Sequence, residues 1–187
     1  LCLLPCLVIY ALGAKESIPA QPAATSGTNG SNVTWSYNTY TKTLTISGTG
    51  ELGNFEYAWQ DYQNEIKTVT INEGIDYIKD KVFDYHNALE TVNLPASLLV
   101  MDWDAFEYCP ALKKFTVKNG NPYFSADSTG LLYNGNKTVL YRCPQGITGS
   151  VTLASTATEI KERAFSKCTG ITAISLPSAL TTIGSEA

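Results

Sequence analysis

The amino-acid sequence carries a short alternation of polar and apolar residues that returns at a constant spacing in its second half. Residues 66–71 (Ile-Lys-Thr-Val-Thr-Ile) return as residues 89–94, and residues 148–153 return as residues 171–176, each 23 positions later. A further copy starts at Leu112, and its interval to the next copy is 36 residues, which is one period enlarged by 13. Successive side chains of a strand point to opposite faces, so each copy predicts a short β-strand with one apolar and one polar face.

Residues further along each copy keep the same register. An aliphatic residue comes first, then an Ala-Phe or Val-Phe pair, and then a His or a Cys. These positions are filled by Ile78, Met101, Ile160 and Ile183, by Val82-Phe83, Ala105-Phe106 and Ala164-Phe165, and by His86, Cys109 and Cys168. A unit of this length cannot bury its own apolar face, but stacked units bury a continuous core. The pattern therefore predicts a solenoid in which each Ala-Phe pair lies on a turn of helix.

The inward positions of these strands and turns form the predicted core. They share an apolar side chain or a thiol that faces the neighbouring copies. The predicted core residues are Val69, Ile71, Phe83, Val92, Leu94, Phe106, Cys109, Val151, Leu153, Phe165, Cys168, Ile174 and Leu176.

One stretch of the sequence carries a family resemblance. The motif Leu-x-x-Val-x-Leu-Pro-x-x-Leu-x-x-x-x-x-x-Ala-Phe-x-x-Cys-x-x-Leu, from Leu89 to Leu112, resembles the BspA-type leucine-rich repeat of bacterial surface proteins. Residues 158–168 match the same motif, and residues 31–50 resemble the N-terminal β cap of that family. The resemblance implies a β-rich leucine-rich-repeat solenoid, a right-handed α/β superhelix with short strands and short helical turns, preceded by a small β-hairpin cap.

The chain divides accordingly into four kinds of segment. Residues 1–14 contain no charged residue and resemble the apolar region of a secretory signal peptide, with a buried strand or helix as the alternative. We expect a linker over residues 15–30, an N-terminal β cap over residues 31–65, and leucine-rich repeats over residues 66–187. The predicted repeat units are 66–88, 89–111, 112–147 (enlarged by an inserted hairpin), 148–170 and 171–187 (truncated).

Two hairpins are predicted outside the regular repeats. In the cap, residues 33–37 and 43–47 are two β-rich runs joined by a short polar segment. In the enlarged copy, Asn134-Gly135 lies between two apolar runs and is a strong hairpin turn signal.

Composition excludes several functional classes. Charged residues make up 16% of the chain, against about 25% in a typical globular protein, and Thr and Ser fill much of the difference. The formal net charge of −4 argues against a nucleic-acid binder, which needs a basic surface to displace counterions. A single His in the whole chain removes most metal-binding and acid–base schemes.

The remaining chemical candidates have simpler structural explanations. His86, with Asp84 nearby, shares a repeat position with Cys109 and Cys168, which favours a structural or partly exposed loop histidine. Cys109 and Cys168 are two repeat steps apart, about 10 Å for strands spaced about 4.8 Å, which is too far for a disulfide. Buried thiols are therefore favoured over a disulfide or metal ligands, while the surroundings of Cys143 are left open.

Asp102, Asp104 and Glu107 form an acidic segment, but each copy carries different polar residues there, which favours a solvated loop over a carboxylate pair. The sequence predicts no catalytic residue, no cofactor and no metal site, and the chain is not expected to be an enzyme.

Two sets of residues are candidates for binding a partner. The outward strand positions form a flat hydroxyl and amide surface, and aromatic side chains are the usual anchors of protein interfaces. The outward candidates are Thr68, Thr70, Thr91, Asn93, Lys114, Thr116 and Thr152, and the aromatic candidates are Trp59, Trp103 and Tyr108, together with Tyr57, Tyr62 and Tyr123.

The sequence favours a secreted or cell-surface protein that binds other proteins through an extended solenoid face. Adhesion to extracellular host or matrix proteins is the role that the family resemblance implies, with no nucleic acid as partner and no membrane span in the mature chain. The alternative is a structural spacer whose repeats present a functional or wall-anchoring module encoded outside this sequence.

Overall fold

A computed structural model describes residues 25–29, 32–53 and 58–187. The predicted signal segment 1–14 and residues 15–24 of the predicted linker lie outside the described residues. The described residues contain sixteen β-strands and one short 3₁₀ helix, Gln60–Tyr62. The strands are β1 (Ser26–Asn29), β2 (Val33–Asn38), β3 (Thr43–Gly48), β4 (Gly50–Leu52), β5 (Thr68–Ile71), β6 (Ile75–Ile78), β7 (Thr91–Leu94), β8 (Val100–Met101), β9 (Lys114–Val117), β10 (Phe124–Ala126), β11 (Leu132–Asn134), β12 (Val139–Arg142), β13 (Gly149–Thr152), β14 (Glu159–Ile160), β15 (Ile171–Ser175) and β16 (Thr182–Ile183).

The largest sheet has six strands in the order β1-β2-β3-β5-β7-β9. Its first three strands pair antiparallel, and the rest of the sheet is parallel, with one strand from each successive repeat. Alternate side chains of β5 and β7 are buried, as the sequence alternation predicts. The repeat period therefore becomes a parallel ladder in which identical positions of successive copies lie side by side.

The second strand of each repeat forms a separate wall. Strands β4, β6 and β8 pair in parallel, and a five-stranded sheet in the order β10-β11-β12-β14-β16 follows. Strands β13 and β15 form a third, two-stranded parallel sheet that continues the direction of the repeats. Together these sheets form a β-solenoid of about six turns.

The expected helical turns are absent from the described residues, and the description of the fold as an α/β superhelix was wrong in this respect. The segment that carries Phe83 consists of consecutive turns in which Lys81 and Tyr85 have φ values of 57° and 54°. A right-handed helix requires negative φ at each residue, so these positions interrupt it. Backbone N–H groups instead donate to the next copy, as Phe83 N does to Ala105 O at 2.9 Å.

A column of aromatic rings runs through the core. Trp59 stacks on Phe83 with ring centroids 5.5 Å apart, and Phe83 stacks on Phe106 at 4.9 Å. Most of the predicted core residues are buried, and Phe165 and Cys168 are partly buried. Ile174 and Leu176 are the exceptions, at 41% and 52% exposed. Their prediction as core was wrong for this structure because β15 pairs with β13 on one side and with no described strand on the other.

Repeat-like stacking extends into the predicted cap. Strand β3 pairs in parallel with β5, and β4 pairs in parallel with β6, as the strands of later copies do. Trp59 supplies the first ring of the aromatic column, ahead of Phe83. The spacing from Trp59 to Phe83 is 24 residues and the β3–β5 register shift is 25, so a search at the constant period of 23 misses this copy. Residues 26–29 of the predicted linker form β1, which pairs with β2.

The enlarged copy ends the six-stranded sheet. Its hairpin pairs β11 with β12, and the Asn134 side chain accepts from the backbone N–H groups of Thr138 and Val139. On the free edge of β9, Phe115 N donates to Gly130 O at 3.0 Å. A Cβ at Gly130 would lie 2.3 Å from the Lys114 Cβ, so this contact with the edge requires glycine.

Candidate protein-binding surface

Two rows of polar side chains cross the outward surface of the six-stranded sheet. Strand register places each residue of a row beside its counterpart in the next strand. The first polar row is Ser36, Thr45, Thr70, Asn93 and Thr116, and the second polar row is Asn38, Thr43, Thr68, Thr91 and Lys114. All ten residues are partly or fully exposed, and we call them the polar face.

Hydrogen bonds between neighbouring side chains order the first polar row. Asn93 Nδ2 donates to Thr70 Oγ1 at 3.1 Å, and Thr116 Oγ1 donates to Asn93 Oδ1 at 2.7 Å. Each residue lies one strand from the next, so the three side chains form a ladder across β5, β7 and β9. The Asn93 amide is fixed in one orientation by its two partners, and its second N–H points to no other partner that the sheet supplies. The row therefore presents an ordered set of donors and acceptors.

Ion pairs between repeats border the polar face at both ends of its strands. At one end, Glu90 lies between Lys67 and Lys113, with N···O distances of 3.3 Å and 3.4 Å. At the other end, Glu73 pairs with Lys118 at 2.9 Å and also accepts from backbone N–H groups of the next repeat. The Lys118 hydrogen bond, followed by the backbone hydrogen bonds, lowers the pKa of Glu73. Both borders keep charges of each sign close to the face.

A shallow groove runs beside the first polar row. Its volume is about 480 Å³, and it is lined by the C-terminal ends of β5, β7 and β9 together with Glu73 and Lys118. The groove thus combines the hydroxyl and amide ladder with one ion pair.

The structure brings together six of the seven outward candidates. Thr68, Thr70, Thr91, Asn93, Lys114 and Thr116 share the polar face. Thr152 lies in β13, which pairs with β15 and not with β9, so it belongs to a different sheet. Four residues of the polar face come from the predicted cap and were missed, because the cap strands do not keep the 23-residue spacing.

The aromatic candidates fall into different environments. Trp59 is 6% exposed and stacked on Phe83, so its prediction as an exposed anchor was wrong. Trp103 is half-exposed and lies under the Arg163 guanidinium, with 4.6 Å from Cζ to the ring centroid. Tyr62 is partly buried and Tyr123 is exposed, while Tyr57 lies outside the described residues.

Tyr108 belongs to an exposed stack on the turn side of the solenoid. Its ring lies parallel to that of Tyr85, with centroids 4.6 Å apart and planes 2° apart, and Lys167 Nζ lies 5.3 Å from the Tyr108 ring centroid. Sequence reasoning missed Tyr85, although Tyr85, Tyr108 and Lys167 occupy the same position of their repeat copies.

The sequence matches the family described as BspA type Leucine rich repeat region over residues 36–128 and 136–187, in six copies. The chain belongs to this family. The match begins inside the predicted cap, where the structure shows β3 and β4 pairing as repeat strands do.

Solved structures of similar fold are longer than this chain. A leucine-rich repeat protein from Eubacterium ventriosum is 20% identical with a TM-score of 0.47, and the alignment covers 87% of this chain and 63% of that one. The pneumococcal vaccine antigen PcpA is 21% identical with a TM-score of 0.54, and the alignment covers 66% of this chain and 36% of that one. A leucine rich cell surface protein from Faecalibacterium prausnitzii is 13% identical with a TM-score of 0.43, covering 87% and 73%. The likeness to PcpA supports the solenoid fold.

No protein of curated function matches this sequence closely enough to be counted as a relative. Within the described ranges, no helix is long and apolar enough to cross a membrane. Those ranges also contain no cluster of His, Cys, Asp and Glu side chains suited to holding a metal ion.

His86 of this BspA-type repeat chain is a buried structural residue. Trp59 Nε1 donates to His86 Nε2 at 3.1 Å, and His86 Nδ1 lies 2.9 Å from the Asp84 carbonyl oxygen. An indole N–H can only donate, so Nε2 accepts and Nδ1 carries the proton. Burial lowers the pKa of His86, which keeps the imidazole neutral. The expectation of a structural role is met, although the ring is buried and not partly exposed.

The acidic segment and the cysteines complete the candidates. Asp104 is 8% exposed, and burial raises its pKa, whereas Asp102 accepts a hydrogen bond from the Tyr77 hydroxyl at 2.9 Å. The expected solvated loop is therefore wrong for Asp104, whose carboxylate lies at the turn. Cys109 is a buried free thiol whose pKa is raised to about 12 by burial, and its Sγ lies 3.2 Å from Phe83 O.

Proposed function

We propose that this chain is a secreted or cell-surface protein that binds another protein through the polar face. The observation that carries the proposal is the continuity of the two polar rows across five strands of one sheet. Such a face offers many modest hydrogen bonds on a rigid backbone, which suits recognition of a partner and not bond making. The description of one similar protein as a cell surface protein and of another as a vaccine antigen supports the location.

The size of the polar face determines what else must take part. Five strands spaced about 4.8 Å apart, with two outward residues each, cover about 250 Å². A stable complex buries about 800 Å² on each partner. The docking area therefore includes the charged borders, Lys67-Glu90-Lys113 and Glu73-Lys118, which supply both specificity and steering of the encounter.

The proposed partners are extracellular host or matrix proteins, in keeping with adhesion as the role of this surface. The face has no exposed aromatic ring among its ten residues, which makes it a poor platform for stacking sugars or bases. A protein backbone, in contrast, supplies the alternating N–H and C=O groups that hydroxyl and amide side chains can bind.

Surface plasmon resonance against purified fibronectin, laminin and collagen tests the proposal. The wild-type chain is compared with Thr70→Arg, which places a long cation in the middle of the first polar row. Affinity for the matrix protein that binds should fall about tenfold or more, because the arginine prevents close approach and leaves polar groups unpaired.

Thr152→Arg is the matched control, since Thr152 is an exposed strand threonine in a different sheet. It should bind as the wild type does. Equal losses in both variants would rule out the polar face as the docking surface. A lack of saturable binding to all three matrix proteins would favour the spacer alternative, in which the repeats present a module encoded outside this sequence.

A further inference from the structure

Cys143 occupies a repeat position that phenylalanine fills elsewhere. Cys143 N donates to Ala164 O at 2.8 Å, as Phe83 N donates to Ala105 O and Phe165 N donates to Ala187 O. The enlarged copy thus interrupts the column of phenylalanine rings with a much smaller side chain. Cys143 is completely buried.

Cys168 packs directly onto this position. In the regular copies the thiol after the turn reaches back to the phenylalanine carbonyl, as Cys109 Sγ does to Phe83 O at 3.2 Å. Cys168 Sγ makes the equivalent contact with Cys143 O at 3.5 Å. Because the residue in the phenylalanine position is itself a cysteine, both sulfurs lie against one carbonyl oxygen, Pro144 O, at 3.6 Å and 3.7 Å. The repeat geometry therefore brings two thiols together that are 25 residues apart.

A buried guanidinium lies beside this pair. Arg142 is 4% exposed, its Nη1 reaches Arg163 O at 3.4 Å, and its Nη2 is buried with no partner. A buried cation is costly unless an anion compensates it. Arg142 pairs with no carboxylate at ion-pair distance among the described residues, and the group that stabilises its charge most is Cys168.

We propose that Cys143 and Cys168 are a reactive thiol pair, in which Cys168 attacks small-molecule disulfides and Cys143 closes an intrachain disulfide that joins the enlarged repeat to the next. The inference concerns the interior of the solenoid and does not depend on the proposed binding surface.

The two thiols differ in a way that orders the steps. A hydrogen bond from the Cys143 thiol lowers the pKa of Cys168, with a smaller contribution from the Arg142 charge. The same hydrogen bond, together with burial, raises the pKa of Cys143. The thiolate is the nucleophile in thiol–disulfide exchange, and Cys168 is also partly exposed whereas Cys143 is not. Cys168 therefore reacts first.

The reaction with oxidised glutathione balances in two exchanges. The Cys168 thiolate attacks one glutathione sulfur, the glutathione S–S bond breaks, and one glutathione thiolate leaves and is protonated by water. Once Cys168 is in the mixed disulfide its negative charge is gone, which removes one cause of the raised pKa of Cys143. Cys143 then loses its proton to solvent, attacks the Cys168 sulfur and expels the second glutathione. Two protein thiols are oxidised and one oxidised glutathione is reduced to two thiols.

The experiment follows the reduced 187-residue chain after addition of excess oxidised glutathione, with acid quenching, alkylation of free thiols and mass spectrometry. The expected sequence is a transient glutathione adduct on Cys168, followed by a product lighter than the reduced chain by two hydrogen atoms with Cys143 and Cys168 joined. In Cys143→Ser the adduct on Cys168 should persist. Cys109→Ser is the matched control and should react at the wild-type rate, because the Cys109 thiol is buried against Phe83 O.

Arg142→Met tests the role of the charge and should slow formation of the adduct severalfold, and an unchanged rate would remove Arg142 from the proposal. The pair itself is overturned by a disulfide that includes Cys109, by a first adduct on Cys143, or by absence of any disulfide in the folded chain. If circular dichroism shows that Cys143→Ser does not fold, the order of adduct and disulfide in the wild-type time course decides in the same way.

Discussion

His86 shows how one substitution changes the chemistry of a repeat position. Later copies place a thiol there, which contacts a carbonyl of the preceding copy, as Cys109 does with Phe83 O. His86 instead accepts from Trp59, the first ring of the aromatic column. The larger imidazole meets the larger indole, and both polar nitrogens are satisfied in the core.

Protonation of His86 should destabilise the protein. Burial lowers its folded-state pKa below the unfolded value of about 6.5, so the unfolded chain binds more protons. Stability from this group is present above pH 6.5 and is lost as the pH falls below that value, by at most about 1.4 kcal/mol per pH unit.

Urea unfolding of the wild type and His86→Cys between pH 7.5 and pH 5 measures this effect. The variant restores the residue of the other copies and does not titrate in this range. The difference in unfolding free energy between the two proteins should narrow as the pH falls. A constant difference would mean that His86 does not titrate on unfolding.

At the scale of elements, the six-stranded sheet ends because the insertion approaches its edge. Gly130 has φ of 92°, and its carbonyl accepts from Phe115 N in β9. An added Cβ would overlap the Lys114 Cβ and Cα, at 2.3 Å and 2.6 Å. The edge strand is thereby covered by the chain itself and does not remain open for pairing.

Gly130→Ala should be more destabilising than Gly120→Ala. Gly120 has a similar φ of 95° but no neighbour within 4 Å of an added Cβ, so it reports the backbone cost alone, about 1–2 kcal/mol. Gly130→Ala adds the overlap with Lys114, about 1–3 kcal/mol more. Urea denaturation monitored by tryptophan fluorescence measures both, and equal losses would show that the edge contact can relax.

At the scale of the whole molecule, the enlarged repeat divides the core. One cluster of buried apolar residues extends from Val33 to Leu132, and a second begins at Leu131 and continues through the last two repeats. The outward surface is divided at the same place, since the polar face ends at β9 and β13 begins another sheet. Each copy is buried only to the extent that a neighbour covers it on both sides.

One substitution in the same repeat position tests this dependence on stacking. Ile78 is fully buried between β4 and β8, whereas Ile183 is 62% exposed in the last strand. Ile78→Ala should cost about 2–5 kcal/mol of unfolding free energy, and Ile183→Ala less than about 1 kcal/mol. Differential scanning calorimetry of both variants checks the contrast, and similar losses would mean that Ile183 is covered in solution.

Periodicity determined much of this protein in advance. The alternation of Thr68, Val69, Thr70 and Ile71 and its return 23 residues later are sufficient to predict parallel strands, an aliphatic interior and a hydroxyl-rich surface. Family membership was also readable, because several positions agree in one register. These features depend on side-chain direction and spacing, which are local properties of the chain.

Other features were decided by contacts between residues whose spacing departs from the period. Trp59 joins the aromatic column, and the cap strands extend the polar face, because hydrogen bonding between strands tolerates shifts of 24 and 25 residues. The turns replaced the expected helices because their N–H groups are satisfied by the next copy and not within the segment. The contact between Cys143 and Cys168 likewise required the three-dimensional path of the insertion, since 25 residues separate the two thiols and only stacking of the copies brings them together.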